Sequence, residues 1–229
     1  MQHLILVAGG TGTRMHQPVA KQFLPLGGRP VIFHTLERFR QALPHLHIVL
    51  VLHDSLHGKW DALVAEAPEM GVDAVVTGGV ERFHSVRNGL DALPEGPGTV
   101  AVHDAVRPFV EVETIRRCFA AAEEHGAAIP VVPVKDTIRR VGDRGNEPLD
   151  RASLRAVQTP QVFDVVRLKK AYEAEYMPVF TDDASVWEAR GGHIELVEGD
   201  LHNIKITTPE DLLSAEAFLN LRSTPSGKA

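Results

Sequence analysis

The chain has 229 residues, 44% hydrophobic and 24% charged, an ordinary globular composition with enough length for one complete core. Its 24 Lys and Arg against 30 Asp and Glu give a formal charge of −6, and no block of basic residues runs together. That excludes a nucleic-acid groove and means that a few well-placed cations must hold any anionic ligand. No apolar run approaches the roughly 18 residues of a membrane span, and the N-terminus enters an apolar strand without a basic leader. The single cysteine, Cys118, cannot form an intramolecular disulfide and reads as an inert thiol within a helix. A cytoplasmic protein without membrane attachment is expected.

In chain order, His3–Val7 predicts a first strand, ended by Ala8-Gly9-Gly10. Pro30–Gln41 places Val31, Ile32, Thr35, Leu36 and Phe39 on one helical face. Strand His47–Leu52, helix Leu56–Ala67, strand Ala74–Thr77, helix Arg82–Leu93, strand Thr99–His103, helix Val112–His125 and strand Ala127–Val134 follow. Short, nearly continuous apolar runs suit strands buried on both faces, and their alternation with helices predicts a doubly wound α/β domain with a mostly parallel, Rossmann-like sheet. Ligands of such sheets lie at the carboxyl ends of the strands. The pattern changes after Val134. Thr137–Val141 and Arg155–Val157 read as short strands around a polar turn, Gly142–Pro148, a β-arm over about 137–158 projecting from the core. Helices Val165–Glu175 and Asp182–Arg190, strand Ile194–Val197 and a last helix Pro209–Leu221 complete one domain over 1–222, with a polar tail, 223–229. Thr208-Pro209-Glu210-Asp211 is a helix start: a hydroxyl cap, proline in the first turn, and acids near the positive dipole end.

The strongest local signal is Leu6-Val7-Ala8-Gly9-Gly10-Thr11-Gly12-Thr13-Arg14-Met15, with Lys21-Gln22 following. Three glycines permit a tight turn and close approach of backbone to ligand, successive N–H groups form an anion nest, and Arg14 and Lys21 supply two of the charges a triphosphate requires. A plain turn joining strand to helix fits the glycines equally well. A P-loop is excluded because no lysine follows Gly12, and a dinucleotide fingerprint is excluded because Met15 stands at its third glycine.

Further blocks follow in order: Pro18-x-x-Lys21-Gln22, Gly78-Gly79-x-Glu81-Arg82-x-x-Ser85, His103-Asp104-Ala105-Val106-Arg107-Pro108, Val134-x-Asp136-Thr137, Asp150-Arg151, Gln158-Thr159-Pro160-Gln161, Thr181-Asp182-Asp183-Ala184-Ser185 and Asn203-Ile204-Lys205-Ile206-Thr207-x-Pro209-Glu210-Asp211. With the glycine loop they resemble the sugar-phosphate nucleotidyltransferases and, more narrowly, the 2-C-methyl-D-erythritol 4-phosphate cytidylyltransferases of the non-mevalonate isoprenoid pathway, over residues 4 to about 220. The resemblance implies transfer of CMP from CTP to a sugar-alcohol phosphate with Mg²⁺ or another divalent cation, in a homodimer joined through the arm. It implies Arg14, Lys21, Lys205 and Arg151 as catalytic. It assigns Ala8, Gly9, Gly10, Gly12, Gly79, Ser85, Asp104 and Ala105 to the nucleotide. Asp104, Arg107, Thr137, Arg151, Thr159 and Lys205 would meet the alcohol phosphate, Arg151 from the neighbouring subunit, and Asp104 is also the candidate metal carboxylate.

Other readings sit beside these. Ser85 also fits a helix start, Asp104 a helix cap, Arg107 a surface ion pair, and Lys205 a solvent-exposed lysine, although two isoleucines flank it. Asp182-Asp183 fits a helix start behind Thr181. Val80 stands where some relatives carry Asp. His45, His47, His53 and His57 lack a metal-site pattern. The rival functions are a ribitol 5-phosphate (pentitol phosphate) cytidylyltransferase of the same fold and, in another class, an inactive nucleotide-binding regulator.

Overall fold

The computed structural model describes residues 1–10, 19–143 and 145–223. Gly12 and Arg14 lie outside the described residues. The first strand, β1 (Gln2–Ala8), pairs in parallel with both β4 (His47–Leu52) and β6 (Thr99–Asp104), and β5 (Ala74–Thr77) extends the sheet beyond β4. Between β1 and β4 come a hairpin, β2 (Pro25–Leu26) and β3 (Arg29–Pro30), and helix α1 (Val31–Ala42). Helices α2 (His57–Glu66) and α3 (Arg82–Asp91) flank β5, and α4 (Val112–His125) leads from β6 to β7 (Ala127–Pro133).

The parallel half is buried on both faces, which is why its strands are apolar throughout. Leu4 and Leu6 of β1 pack with Phe33 and Leu36 of α1 and Phe119 of α4, whereas Ile5 packs with Val49, Val51, Val100 and Val102 toward α3. This alternation is the two-residue period of a strand. Full burial of each such side chain contributes about 1.5–3 kcal/mol. Cys118 is buried in α4, and burial, only partly opposed by Arg117, raises its thiol to about 12.

Beyond β6 the sheet is mixed. β11 (Gln161–Asp164) lies antiparallel between β6 and β7, β10 (Arg155–Val157) is antiparallel to β7, and β12 (Glu195–Glu198) is parallel to it. The sheet order is β10-β7-β11-β6-β1-β4-β5, with β12 also on β7. The doubly wound, mostly parallel α/β architecture expected from the alternation of elements is therefore present. Besides the β2–β3 hairpin, which the sequence reading did not include, two details of the later strands differ from it. Gln161–Asp164 was not expected as a strand, because four residues between Pro160 and a helix carry no periodicity. The arm is made by β8 (Arg139–Gly142) and β9 (Gly145–Pro148) alone, so the expected turn Gly142–Pro148 is largely strand, and Arg155–Val157 belongs to the main sheet.

Helices α5 (Val165–Ala171) and α6 (Asp183–Glu188) cover the α3 face. Asp182 caps α6 by accepting from Ser185 N, and the Ser185 hydroxyl lies 3.3 Å from the Asp182 N–H, a capping box. The last helix, α7 (Pro209–Ser223), starts as its sequence predicts: Asp211 accepts from the Thr207 and Thr208 N–H groups, and its own N–H donates to the Thr208 hydroxyl. It packs on the β2–β3 hairpin, whose turn Gly27-Gly28 has φ of 57° and 79°, a conformation that favours glycine. Leu26, Val31, Val106, Phe109, Ile206 and Ala215 form the small core there, which anchors the segment carrying Lys205. No described helix is long and apolar enough to cross a membrane.

Candidate active site

The carboxyl ends of β1, β5 and β6 lie on one edge of the sheet, and the loops leaving them line a cleft of about 300 Å³. Ala8, Gly9 and Gly10 come from the first loop, Gly79, Val80, Glu81, Arg82 and Ser85 from the second, Asp104 and Val106 from the third. Lys21 and Gln22 enter from a short turn, and Lys205 from the segment before α7. A larger cavity of about 430 Å³ lies near Arg167 and Trp187, but none of the residues singled out by sequence lines it.

Each loop is held by specific bonds. Buried Gln22 donates to Ala8 O at 2.7 Å and to Gly10 O at 3.4 Å, fixing the glycine loop beside Lys21. The Ser85 hydroxyl accepts from Gly79 N at 3.0 Å and donates to Glu81 O at 3.2 Å. A Cβ on Gly79 would stand 2.3 Å from His84 Cβ, so the turn into α3 needs a residue without a side chain. The Ser85 of the structure is thus both the helix-start residue and a wall of the cleft.

Asp104 is the electrostatic centre. One carboxylate oxygen, Oδ2, receives both Arg107 Nε and Lys205 Nζ, each at 3.1 Å. Burial pushes this carboxyl up, but Lys205, Arg82 and Arg107 together outweigh burial and hold it well below the usual carboxylate range. Asp104 is therefore ionised at any working pH. Arg107 also donates to Asn203 O at 2.8 Å.

Arg82 and Asp183 were not proposed as site residues, although both stand within the quoted blocks. Arg82 lines the cleft and makes a two-pronged bond to Asp183, at 2.9 and 2.6 Å; Asp183 also accepts from Tyr172 Oη at 2.6 Å. The Asp183 side chain is 0% exposed. Burial opposes the charge on Arg82, but Asp183 overrides it and raises the guanidinium above its ordinary value. Of the neighbouring pair, Asp182 is the cap that the helix-start reading describes, and Asp183 is the anchor of a cleft arginine. The local sequence carries no sign of a contact between residues so far apart.

The structure gathers Ala8, Gly9, Gly10, Lys21, Gly79, Ser85, Asp104 and Lys205 around the cleft, with Arg107 against Asp104. Ala105 lies beneath it: its N–H donates to Val7 O and its carbonyl accepts from the Thr35 hydroxyl. Thr159 is also beneath, accepting from Asp104 N at 3.2 Å and bonded to His103 Nδ1 at 3.0 Å. Thr137 and Arg151 are exposed near the arm, outside the cleft lining, and Arg151 donates to Lys135 O.

An open α/β sheet with a glycine-rich first loop, lysines converging at the strand ends and a carboxylate among them defines a nucleotidyltransferase. The family model described as IspD, 2-C-methyl-D-erythritol 4-phosphate cytidylyltransferase, matches residues 2–221, and the chain belongs to that family. A protein of that name from Bacteroides thetaiotaomicron is 52% identical over 218 residues, covering 95% of this chain and 99% of the relative. One from Geobacillus kaustophilus is 45% identical, covering 95% and 96%. The crystal structure of the 4-diphosphocytidyl-2C-methyl-D-erythritol synthase of Anaerococcus prevotii is similar with a TM-score of 0.82 at 29% identity, covering 96% of each chain.

Proposed function

We infer that this chain transfers CMP from CTP to 2-C-methyl-D-erythritol 4-phosphate, forming CDP-methylerythritol and pyrophosphate. Family membership makes it a cytidylyltransferase. The observation that carries the mechanism is the convergence of Lys21, Lys205 and the glycine loop on the Asp104 edge of the sheet.

The attacking phosphate monoester has a second pKa of about 6, so near neutral pH it is already largely a dianion and requires no general base. The obstacle is repulsion between two anions, followed by charge on the departing pyrophosphate. Preorganised cations lower that barrier. In this reading Lys21 and Arg14 hold the triphosphate, and the Gly79 turn with Ser85 borders the base and ribose. Lys205 meets the reacting phosphates, and Arg107, aimed by Asp104 and Asn203, receives the alcohol phosphate. Thr137 and Arg151 would complete that subsite from a second copy of the chain. Their exposure beside the arm, outside the cleft of their own chain, supports a homodimer.

Around the described cleft, Lys21, Arg82, Arg107 and Lys205 face three carboxylates, Glu81, Asp104 and Asp183. This near balance is far short of a triphosphate's charge. An ionised carboxylate beside substrate phosphates suits Mg²⁺, which binds through one or two carboxylates and phosphate oxygens. Asp104 would hold the ion, whose chemistry is to neutralise charge on the triphosphate. A cytoplasmic location belongs to the same reading, supported by the lone, buried Cys118, which takes no part in disulfide chemistry.

The test is pyrophosphate release from CTP and Mg²⁺ with methylerythritol phosphate or ribitol phosphate. Turnover with the first and little with the second is expected. Preference for ribitol phosphate would keep the class and overturn the substrate, and CTP binding without turnover on either would favour the regulator.

A further inference from the structure

Three distant segments meet beneath the cleft in a closed circuit of hydrogen bonds. The Thr159 hydroxyl is 3.0 Å from His103 Nδ1. His103 Nε2 is 3.4 Å from Arg107 O. The Arg107 guanidinium donates to Asn203 O at 2.8 Å, and Asn203 Nδ2 donates to Thr159 O at 2.9 Å, closing the ring. His103 is 0% and Asn203 1% exposed. Two further bonds tie the ring to Asp104: its N–H donates to the Thr159 hydroxyl oxygen at 3.2 Å, and its Oδ2 accepts from Arg107 Nε at 3.1 Å.

The donors and acceptors permit one proton arrangement. Asp104 N–H can only donate and Arg107 O can only accept, so the Thr159 oxygen accepts from the first, His103 Nε2 donates to the second, and the hydroxyl proton is directed to His103 Nδ1. The imidazole proton then sits on Nε2, facing a carbonyl that can only accept. The opposite tautomer would set the Nε2 lone pair against the Arg107 carbonyl. A protonated ring would leave the threonine proton without an acceptor. Phe39 of α1 packs against the ring with centroids 4.8 Å apart.

The ring adjoins Asp104 and the two cations bonded to it, Arg107 and Lys205. Asp104 lies between His103 and Arg107 in sequence, and Lys205 is two residues beyond Asn203. We propose that His103 and Asn203 are positioning residues, joined with Thr159 in a closed ring that holds Asp104, Arg107 and Lys205 in register for the transfer reaction. Thr159 then acts through Asp104. The role in transfer rests on the function proposed above, whereas the ring itself can be tested without turnover.

Histidine labelled with ¹⁵N reports the ring directly. At pH 8, His103 of the full chain should show the Nε2-protonated tautomer, with its resonances displaced in Thr159→Val. The Nδ1 tautomer, or indifference to Thr159→Val, would overturn the ring. In kinetics, Thr159→Val and His103→Gln should each lower kcat/KM by about tenfold or more, the scale of a buried partner removed, while Thr159→Ser stays near wild type. Because both break one circuit, the double variant should fall little below the worse single variant. Losses that multiply, or a Thr159→Ser enzyme as slow as Thr159→Val, would overturn the positioning role. Absence of turnover in the wild type would instead remove the functional reading and leave the NMR result standing.

Discussion

The cleft and the arm handle charge in opposite ways. At the cleft, Asp104, Arg82 and Asp183 are largely or wholly enclosed, and each is tied to groups from distant parts of the chain. In the arm, all the described residues of β8 and β9 are exposed, and the Arg140–Glu147 pair, 3.0 Å long, joins neighbours within one hairpin. A buried carboxylate without its partner is costly, so the cleft's charges specify one another's positions. Exposed pairs contribute about 0–1 kcal/mol, and the exposed Arg151 side chain beside the arm is bonded to the Lys135 carbonyl rather than to a buried partner. One region pairs its charges within its own fold; the other presents groups that a second copy could use.

Asp183 offers the sharpest test of that contrast. Asp183→Ala leaves Arg82 without its anchor and the Tyr172 hydroxyl without its acceptor, and should cost about 3–5 kcal/mol of stability in urea denaturation. A cost below about 1 kcal/mol would place this pair with the arm's exposed ones and break the comparison. Lys21→Ala acts on the other side of the cleft wall. Loss of one preorganised charge there should lower kcat by about 10²–10³-fold in steady-state pyrophosphate release, with little change in the urea midpoint. A stability loss as large as that of Asp183→Ala would recast Lys21 as structural.

The two regions also differ in what sequence discloses. Asp104 and the glycine loop were legible because strand-end position and local turn chemistry agreed with the blocks that carry the family resemblance; position alone left a helix cap and a plain turn open. Arg82–Asp183 was not legible, since the partners are 101 residues apart and each also fits a helix start. His103 and Asn203 stood inside recognisable blocks, but their bonds depend on three segments meeting. The arm failed differently. With no buried face, β8 and β9 carry no two-residue alternation, so Gly142–Pro148 read as a turn, and Arg155–Val157, exposed on an edge of the main sheet, read as its partner strand.

Acid should expose the same contrast through His103. Its folded value, about 3, lies below the ordinary 6.5. Between these, the unfolded chain binds a proton that the folded chain does not, so stability is full above pH 6.5 and falls as pH drops toward 3. The slope approaches about 1.4 kcal/mol per pH unit. Buried His3, lowered to about 4 by burial and by His47, adds in the same direction. Asp104 joins only below about pH 4, where unfolded carboxylates begin to protonate. Urea midpoints from pH 7.5 to 5 should therefore decline in the wild type and less steeply in His103→Gln. An equal slope in both would show that the ring is open to protons in the folded protein.

Arg151→Ala should have the smallest effect and the most selective one. The side chain is exposed, and its described bond is to the Lys135 carbonyl beside the arm, so removing it should leave the urea midpoint within about 0.5 kcal/mol of wild type. If a second chain uses it to hold the alcohol phosphate, loss of one charge-assisted contact should raise KM for that substrate about tenfold, with KM for CTP unchanged. The pattern separates three cases. A raised KM for both substrates would place Arg151 over the whole cleft rather than one subsite. An unchanged KM for the alcohol phosphate would remove it from the site. A selective rise that a mixed dimer reverses, when Arg151→Ala chains are combined with Lys21→Ala chains, would show that the arm completes the cleft of its neighbour, because only the cross-pair then joins an intact lysine to an intact arginine.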